Sequence, residues 1–283
     1  MKNFLKKIGL LIITLILAYL IFVIIGGGWG ERELHKNPFK SNSIFLHKGG
    51  FNLFVPENSI DAIDIAHKEG FHYFEFDVRK TMDERLVLFH DNDGKRILNW
   101  NKRIDESIWE EIKELKINSR GRVTESTIPL LKDVLSRIEV EDIYYLDLKI
   151  NSFSFVDSIA SIIQELKIED QILMASTNPI ITIYIRSNYP EFKTVLEGID
   201  GKKEWLYYLL PKNYKTDFYA SSLKNVDKDH VKFLTSNKIL DRKITYGVDE
   251  KNIHKINSLG LTHIIFDIDS TSVKTNKWNN FDK

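Results

Sequence analysis

Between Ser43 and Ser270 one pattern recurs: a short, apolar, β-rich run, then an amphipathic stretch, then another run. The strand candidates are Ile44–His47, His72–Val78, Leu86–His90, Ile143–Leu148, Ile172–Ala175, Lys193–Leu196, Phe218–Ala220, Ile244–Val248 and His263–Asp267. Helical stretches separate many of them: Ser59–Glu69, Ile108–Leu115, Leu130–Ile138, Phe155–Leu166, Pro179–Ser187, Asp229–Ser236 and Glu250–Leu259. A helix between two strands returns the chain to the end of the sheet where it started, so the strands lie parallel with the helices outside. About eight such units predict an α/β fold closed as a TIM-type (β/α)8 barrel. The 228 residues from Ser43 to Ser270 suit the ~250 that such a barrel takes. Nine strand candidates for eight places predict one irregular strand. The long polar stretch Asp91–Thr127, with Trp100, Trp109 and Ile112, predicts an excursion over one mouth of the barrel. Asn58 is expected to cap the helix that starts at Ser59.

Ahead of the barrel, Ile8–Ile25 spans 18 residues, all apolar except Gly9, Thr14 and Tyr19. That is about the minimum for crossing a ~30 Å hydrocarbon core. Lys2, Lys6 and Lys7 precede this run and charges of both signs follow it. The positive-inside bias therefore predicts a single-pass membrane protein with a cytoplasmic N-terminus and the barrel on the extracytoplasmic side. A cleaved signal peptide begins similarly, but its apolar stretch is usually ~7–15 residues. The expected organisation is a stub and transmembrane helix over 1–30, a polar tether over 31–42, the barrel over 43–270 and a polar tail over 271–283. Lys and Arg number 40 and so do Asp and Glu. With no net charge there is no overall field to hold a polyanion, which argues against a nucleic-acid partner. The absence of cysteine excludes disulfides, thiolate nucleophiles and Cys-ligated metals.

Chemistry is concentrated at strand tips. His47 and His90 each end an apolar run, where a polar side chain enters the mouth in which such barrels keep their sites. Glu75 and Asp77 fall on one face of the next run by the two-residue period of a strand, as do Asp147 and Lys149 on theirs. Three carboxylates converging in one mouth repel each other unless a cation holds them, and hard oxygen donors favour Mg²⁺ or Ca²⁺. Only twelve residues separate Asp77 from His90, which leaves little room for a helical crossover. The return is either a hairpin centred between Met82 and Asp83, which sets Glu75 beside His90, or an abbreviated parallel crossover. Both bring His90 to the same mouth.

Taken in order, His47-Lys48-Gly49-Gly50, Pro56-Glu57-Asn58-Ser59, Glu75-Phe76-Asp77, His90-Asp91 and Asp147-Leu148-Lys149 resemble the glycerophosphodiester phosphodiesterase family. The likeness continues more weakly through Ile128-Pro129-Leu130, Ser176, residues 245–249 and Ile264-Ile265-Phe266-Asp267, so it covers the whole barrel. It implies a divalent cation on Glu75, Asp77 and Asp147, acid–base catalysis by His47 and His90, and a glycerophosphodiester substrate; an anchor that holds the site next to lipid adds a lysophospholipid to the expected substrates. Lys48, Asn58 and Lys149 are the implied substrate-side residues. Related barrels of the sphingomyelinase D and phosphoinositide phospholipase kinds share two histidines with carboxylates, and a non-catalytic phosphodiester-binding relative is a further alternative.

Three positions depart from the family pattern. Lys48 stands where Arg is usual, which keeps the charge but loses the planar fork that grips phosphate. Asp147 replaces the usual Glu and is one methylene shorter, and Thr245-Tyr246-Gly247 replaces an aromatic strand end. Of the other histidines, His67 reads as surface favoured by a helix C-terminus, and His35, His72, His230, His254 and His263 have no convergent partners in the sequence; none receives a role.

Overall fold

The structure is a computed structural model and describes residues 2–39, 42–50 and 55–268. The expected polar tail lies outside the described residues. The strands are β1 (Ser43–Leu46), β2 (Tyr73–Lys80), β3 (Leu86–Leu88), β4 (Lys116–Ser119), β5 (Arg122–Thr127), β6 (Ile143–Leu148), β7 (Ile172–Ser176), β8 (Lys193–Glu197), β9 (Phe218–Ser222), β10 (Lys243–Val248) and β11 (His263–Phe266). All but β3, β4 and β5 run parallel in the order β1-β11-β10-β9-β8-β7-β6-β2, and pairing of Leu46 with Phe74 joins β1 to β2 and closes the barrel. The irregular strand is β3, hung antiparallel on the outer edge of β2.

Side-chain alternation divides the core in two. Phe45, Tyr145, Leu173, Val195, Phe218, Ile244 and Ile265 point into the barrel. Phe74, Phe76, Tyr144, Leu146 and Met174 point outward beneath the helices, where Phe155, Ile159 and Ile163 cover them. Each fully buried Phe, Leu or Ile contributes roughly 1.5–3 kcal/mol over its exposed state. The alternation also places Glu75, Asp77 and Asp147 on the inward face, at the C-terminal end of the barrel.

The excursion after His90 is a small satellite rather than a plain loop. β4 and β5 form a separate hairpin, and Ile97, Leu98, Ile104, Ile112, Ile117 and Ile128 pack with Val87 and Phe89 into a cluster of their own. The expected helix over Ile108–Leu115 is shortened to Trp109–Ile112, because Lys116 already opens β4.

The N-terminal helix α1 covers Lys2–Ile25, and Asn3–Ile25 is long and apolar enough to cross a membrane. Nearly all of it stands clear of the barrel. Only its last turns touch: the Tyr19 hydroxyl donates to the Leu209 carbonyl at 3.1 Å, and Phe22 stacks on Tyr214. The described part of the segment expected as a tether, residues 31–39, lies along the base of the barrel. Arg32 and His35 bond the carboxylate of Asp217, Glu31 accepts from Tyr207 and Lys215, and Phe39 packs against Phe45 and Phe218.

Candidate active site

β1 ends in a tight turn that aims backbone as well as side chains at the site. Lys48, Gly49 and Gly50 all adopt left-handed φ of 53°, 79° and 85°. A Cβ on Gly49 would come within 2.7 Å of the Phe76 ring and one on Gly50 within 2.7 Å of Leu46, so both positions require glycine. The turn presents the Lys48 amide to Glu75, which accepts at 2.8 Å. The Lys48 ammonium turns the other way, to Glu57 at 3.2 Å, and lines an adjoining cavity with Glu57 and Arg96. It does not line the cavity of the carboxylates.

Asn58 is not the helix cap that its position suggested. The helix α2 (Ile60–Lys68) is capped by Ser59, whose hydroxyl accepts from the Ala62 amide. Asn58 sits one residue too early, with a left-handed φ of 53°. Its side chain instead clamps Asp77: Nδ2 donates to the carboxylate at 2.8 Å and Oδ1 accepts from the Asp77 amide at 3.1 Å.

Strand register brings the acids together. Asp77 and Asp147 are direct partners across β2 and β6, and Glu75 lies two residues earlier on the same face. Glu75, Asp77 and Asp147 each offer an oxygen within 4.8 Å of the others, the arrangement that suits a single cation. Lys149 bonds Asp77 at 2.8 Å and also Asp147. Burial, then the charge on Asp77, raises the Glu75 carboxyl to about 8. Burial also raises Asp147, despite Lys149. For Asp77 burial opposes the charge, but Lys149, His90 and Lys48 outweigh it and lower the carboxyl. This site holds more negative charge than its own cations compensate, and a hard divalent ion fits that deficit.

The two histidines stand over these acids. His47 bonds Asp267 through Nδ1, with Nε2 at 3.8 Å from Glu75. Burial opposes its charge, yet the bond to Asp267 and the charge on Glu75 raise it. His90 bonds Asp91 through Nδ1 at 2.7 Å, and Arg96 ties Asp91 to Glu57. His90 is reached through the hairpin, but with Val78 opposite Leu88 the register is one residue off that expected, and Glu75 is not its cross-strand partner.

Of the residues expected at the site, His47, His90, Glu75, Asp77, Asp147 and Lys149 line one cavity of about 340 Å³, and Lys48 and Asn58 do not. Two further carboxylates line it, Glu197, which the sequence reading did not single out, and Asp267, which it quoted only within the family likeness and gave no role. Glu197 accepts from the Tyr145 hydroxyl, and burial, then Asp147, raises it to about 7. Both sit just where β8 and β11 end, a signal as plain as that of the two histidines. The Tyr246-Gly247 departure also reaches the cavity wall.

The model of the glycerophosphoryl diester phosphodiesterase family matches residues 47–268. A glycerophosphodiester phosphodiesterase of Bacillus altitudinis is 26% identical over 246 residues, covering 82% of this chain and 96% of the relative. Among solved structures, an Oleispira antarctica phosphodiesterase in complex with the product sn-glycerol-3-phosphate superposes with a TM-score of 0.72 at 17% identity, over 85% of this chain and 97% of that one. A glycerophosphodiester phosphodiesterase from Agrobacterium tumefaciens gives 0.64 at 20% identity, over 80% and 96%. The match runs from the first mouth histidine to the last strand, through a barrel closed in the same way, and so the chain belongs to the glycerophosphodiester phosphodiesterase family and is an enzyme of that kind.

Proposed function

We propose that this chain is a membrane-anchored, metal-dependent hydrolase of glycerophosphodiesters, releasing glycerol phosphate and an alcohol, with His47 and His90 as its acid–base pair. The observation that carries this reading is the single cavity shared by both histidines and Glu75, Asp77 and Asp147. Each imidazole presents Nδ1 to a carboxylate, Asp267 for His47 and Asp91 for His90. That bond holds a proton on Nδ1, so Nε2 exchanges protons with the reacting oxygens. One imidazole, neutral, takes the proton of the attacking hydroxyl or water; the other, charged, protonates the leaving oxygen. Lys149 supplies positive charge beside the phosphate position, and Asn58 holds the Asp77 carboxylate in place.

Glu75, Asp77 and Asp147 would hold the cation, Mg²⁺ or Ca²⁺ by the hardness of their oxygens. Such an ion polarises a phosphoryl oxygen and offsets the charge of the transition state. The anchor rests on α1, whose apolar length stands away from the barrel. The test is turnover by the purified full chain on a panel of glycerophosphodiesters and lysophospholipids, with Mg²⁺, with Ca²⁺ and with chelator. Release of glycerol phosphate that chelator abolishes is the expected result, and turnover indifferent to chelator rules out the cation. Alkaline extraction of cell membranes checks the anchor: the chain should stay in the pellet, and its release would remove the membrane from the account.

A further inference from the structure

At the opposite end of the barrel from the catalytic cavity, four side chains converge that the diesterase reaction does not use. His67 ends α2, His72 leads into β2, and Glu139 and Asp142 flank the turn that leads into β6. The Asp142 side chain is fully buried, and both imidazoles bond it: His67 Nε2 at 3.1 Å to each carboxylate oxygen, His72 Nδ1 at 3.0 Å. Glu139 lies 3.8 Å from the other nitrogen of His67, and Glu141 lies 3.6 Å from the other nitrogen of His72. One ligand atom from each of His67, His72, Glu139 and Asp142 falls within 4.8 Å of the rest.

We propose that His67, His72, Asp142 and Glu139 form a second metal site, selective for a zinc-class divalent ion and separate from the catalytic cation. Donor chemistry sets the class. Two imidazole nitrogens with two carboxylate oxygens suit Zn²⁺ and its neighbours, whereas the all-oxygen set of Glu75, Asp77 and Asp147 suits Mg²⁺ or Ca²⁺. Backbone bonds hold the set together without the ion. The Ile143 amide donates to the His72 carbonyl at 2.9 Å, which fixes His72 beside Asp142. The Asp142 amide donates to the Glu139 carbonyl at 3.1 Å and the Glu139 amide to the Asp142 carboxylate at 2.8 Å, closing the turn.

The outer groups are also in place. When a metal takes Nε2 of His67 and Nδ1 of His72, each neutral ring keeps its proton on the other nitrogen. For His72 that nitrogen faces Glu141, the carboxylate partner that metal-bound imidazoles commonly have. From His72 to Asp77 along β2 is about 16 Å, so the two sites do not share ligands.

The test is Zn²⁺ binding to the full chain in detergent, stripped with chelator, in a Glu75→Gln/Asp77→Asn background that disables the catalytic cluster. One equivalent should bind and raise the melting temperature, and Co²⁺ in its place should show the visible bands of a nitrogen-containing site. His72→Gln, at a position 28% exposed on its side chain, should lose that equivalent and the thermal shift while glycerophosphodiester turnover in the otherwise native chain stays unchanged. His67→Ala should do the same, and His72→Gln keeps the test open if that variant does not fold. No binding in the background chain, or binding that survives His72→Gln, overturns the proposal.

Discussion

Asp217 at the base of the barrel and the three acids at its mouth hold buried charge in opposite ways. At the base, the Asp217 carboxylate accepts from Arg32, from the His35 amide and ring, and from the amide and hydroxyl of Thr194. Burial opposes its charge, but the His35 bond and Arg32 hold it well below the usual carboxylate range. At the mouth, Glu75, Asp77 and Asp147 have mainly Lys149 and the two histidines to balance them, and Glu75 is raised to about 8. Donor supply makes the difference. An acid saturated with donors stabilises the fold, while acids left short of them carry the charge that the proposed cation would offset.

That contrast can be broken most forcefully through the histidines. His47→Ala and His90→Ala should each lower turnover by about 10²–10⁴-fold, with the melting temperature close to that of the parent; full activity in either variant removes that residue from the acid–base pair. Asp217→Ala should show the converse, losing about 3–5 kcal/mol in denaturant unfolding because it strands buried Arg32, while the folded fraction turns over normally. The same acid sets a pH dependence. With its folded value depressed, Asp217 contributes stability that is fully present above about pH 4 and is lost as pH falls through its folded value. Asp217→Asn should remove that part of the acid transition, and an unaltered acid limb would mean that other carboxylates set it.

Smaller changes sharpen the comparison. Asn58→Gly keeps the left-handed backbone but deletes both bonds to Asp77, so it should cost about 1–3 kcal/mol of stability and lower turnover. Lys48→Arg should matter least, within about 1 kcal/mol in kcat/KM, since the ammonium is engaged with Glu57. A marked gain in turnover would show that this side chain reaches the phosphate after all.

Much of the barrel was legible because strand and helix periods differ, and inward positions such as Phe45, Tyr145 and Val195 follow the two-residue alternation. The site was legible where charge ended an apolar run, as at His47 and His90. Register was harder to read. The β2–β3 return is five residues long, 81–85, with Glu84 left-handed at φ 62°, and no glycine announces that conformation, so the pairing came out one residue away from the expected one. The β4–β5 hairpin was missed because its strands are polar, although Arg120-Gly121, both with positive φ, is the turn that a two-residue hairpin demands. The role of Asn58 was hidden for a different reason: capping is a local property visible in sequence, whereas its contact with Asp77 spans 19 positions and exists only once the chain has folded. His67 and His72 lacked visible partners for the same reason, since Asp142 lies 70 residues beyond His72.

On the proposed reading, in which Asp77 and Asp147 share the cation, their pairing makes catalysis an audit of folding. A slip of one residue between β2 and β6 would send an entire face of one strand to the wrong side of the wall, exchanging carboxylates for Phe76 or Leu146. A chain misassembled in that way could keep its helices, its sheet and much of its buried surface, and still have no place to gather charge. Spectroscopy of secondary structure would pass such a molecule. The reaction would not, so specific activity per folded chain counts the molecules whose strands have found their proper neighbours.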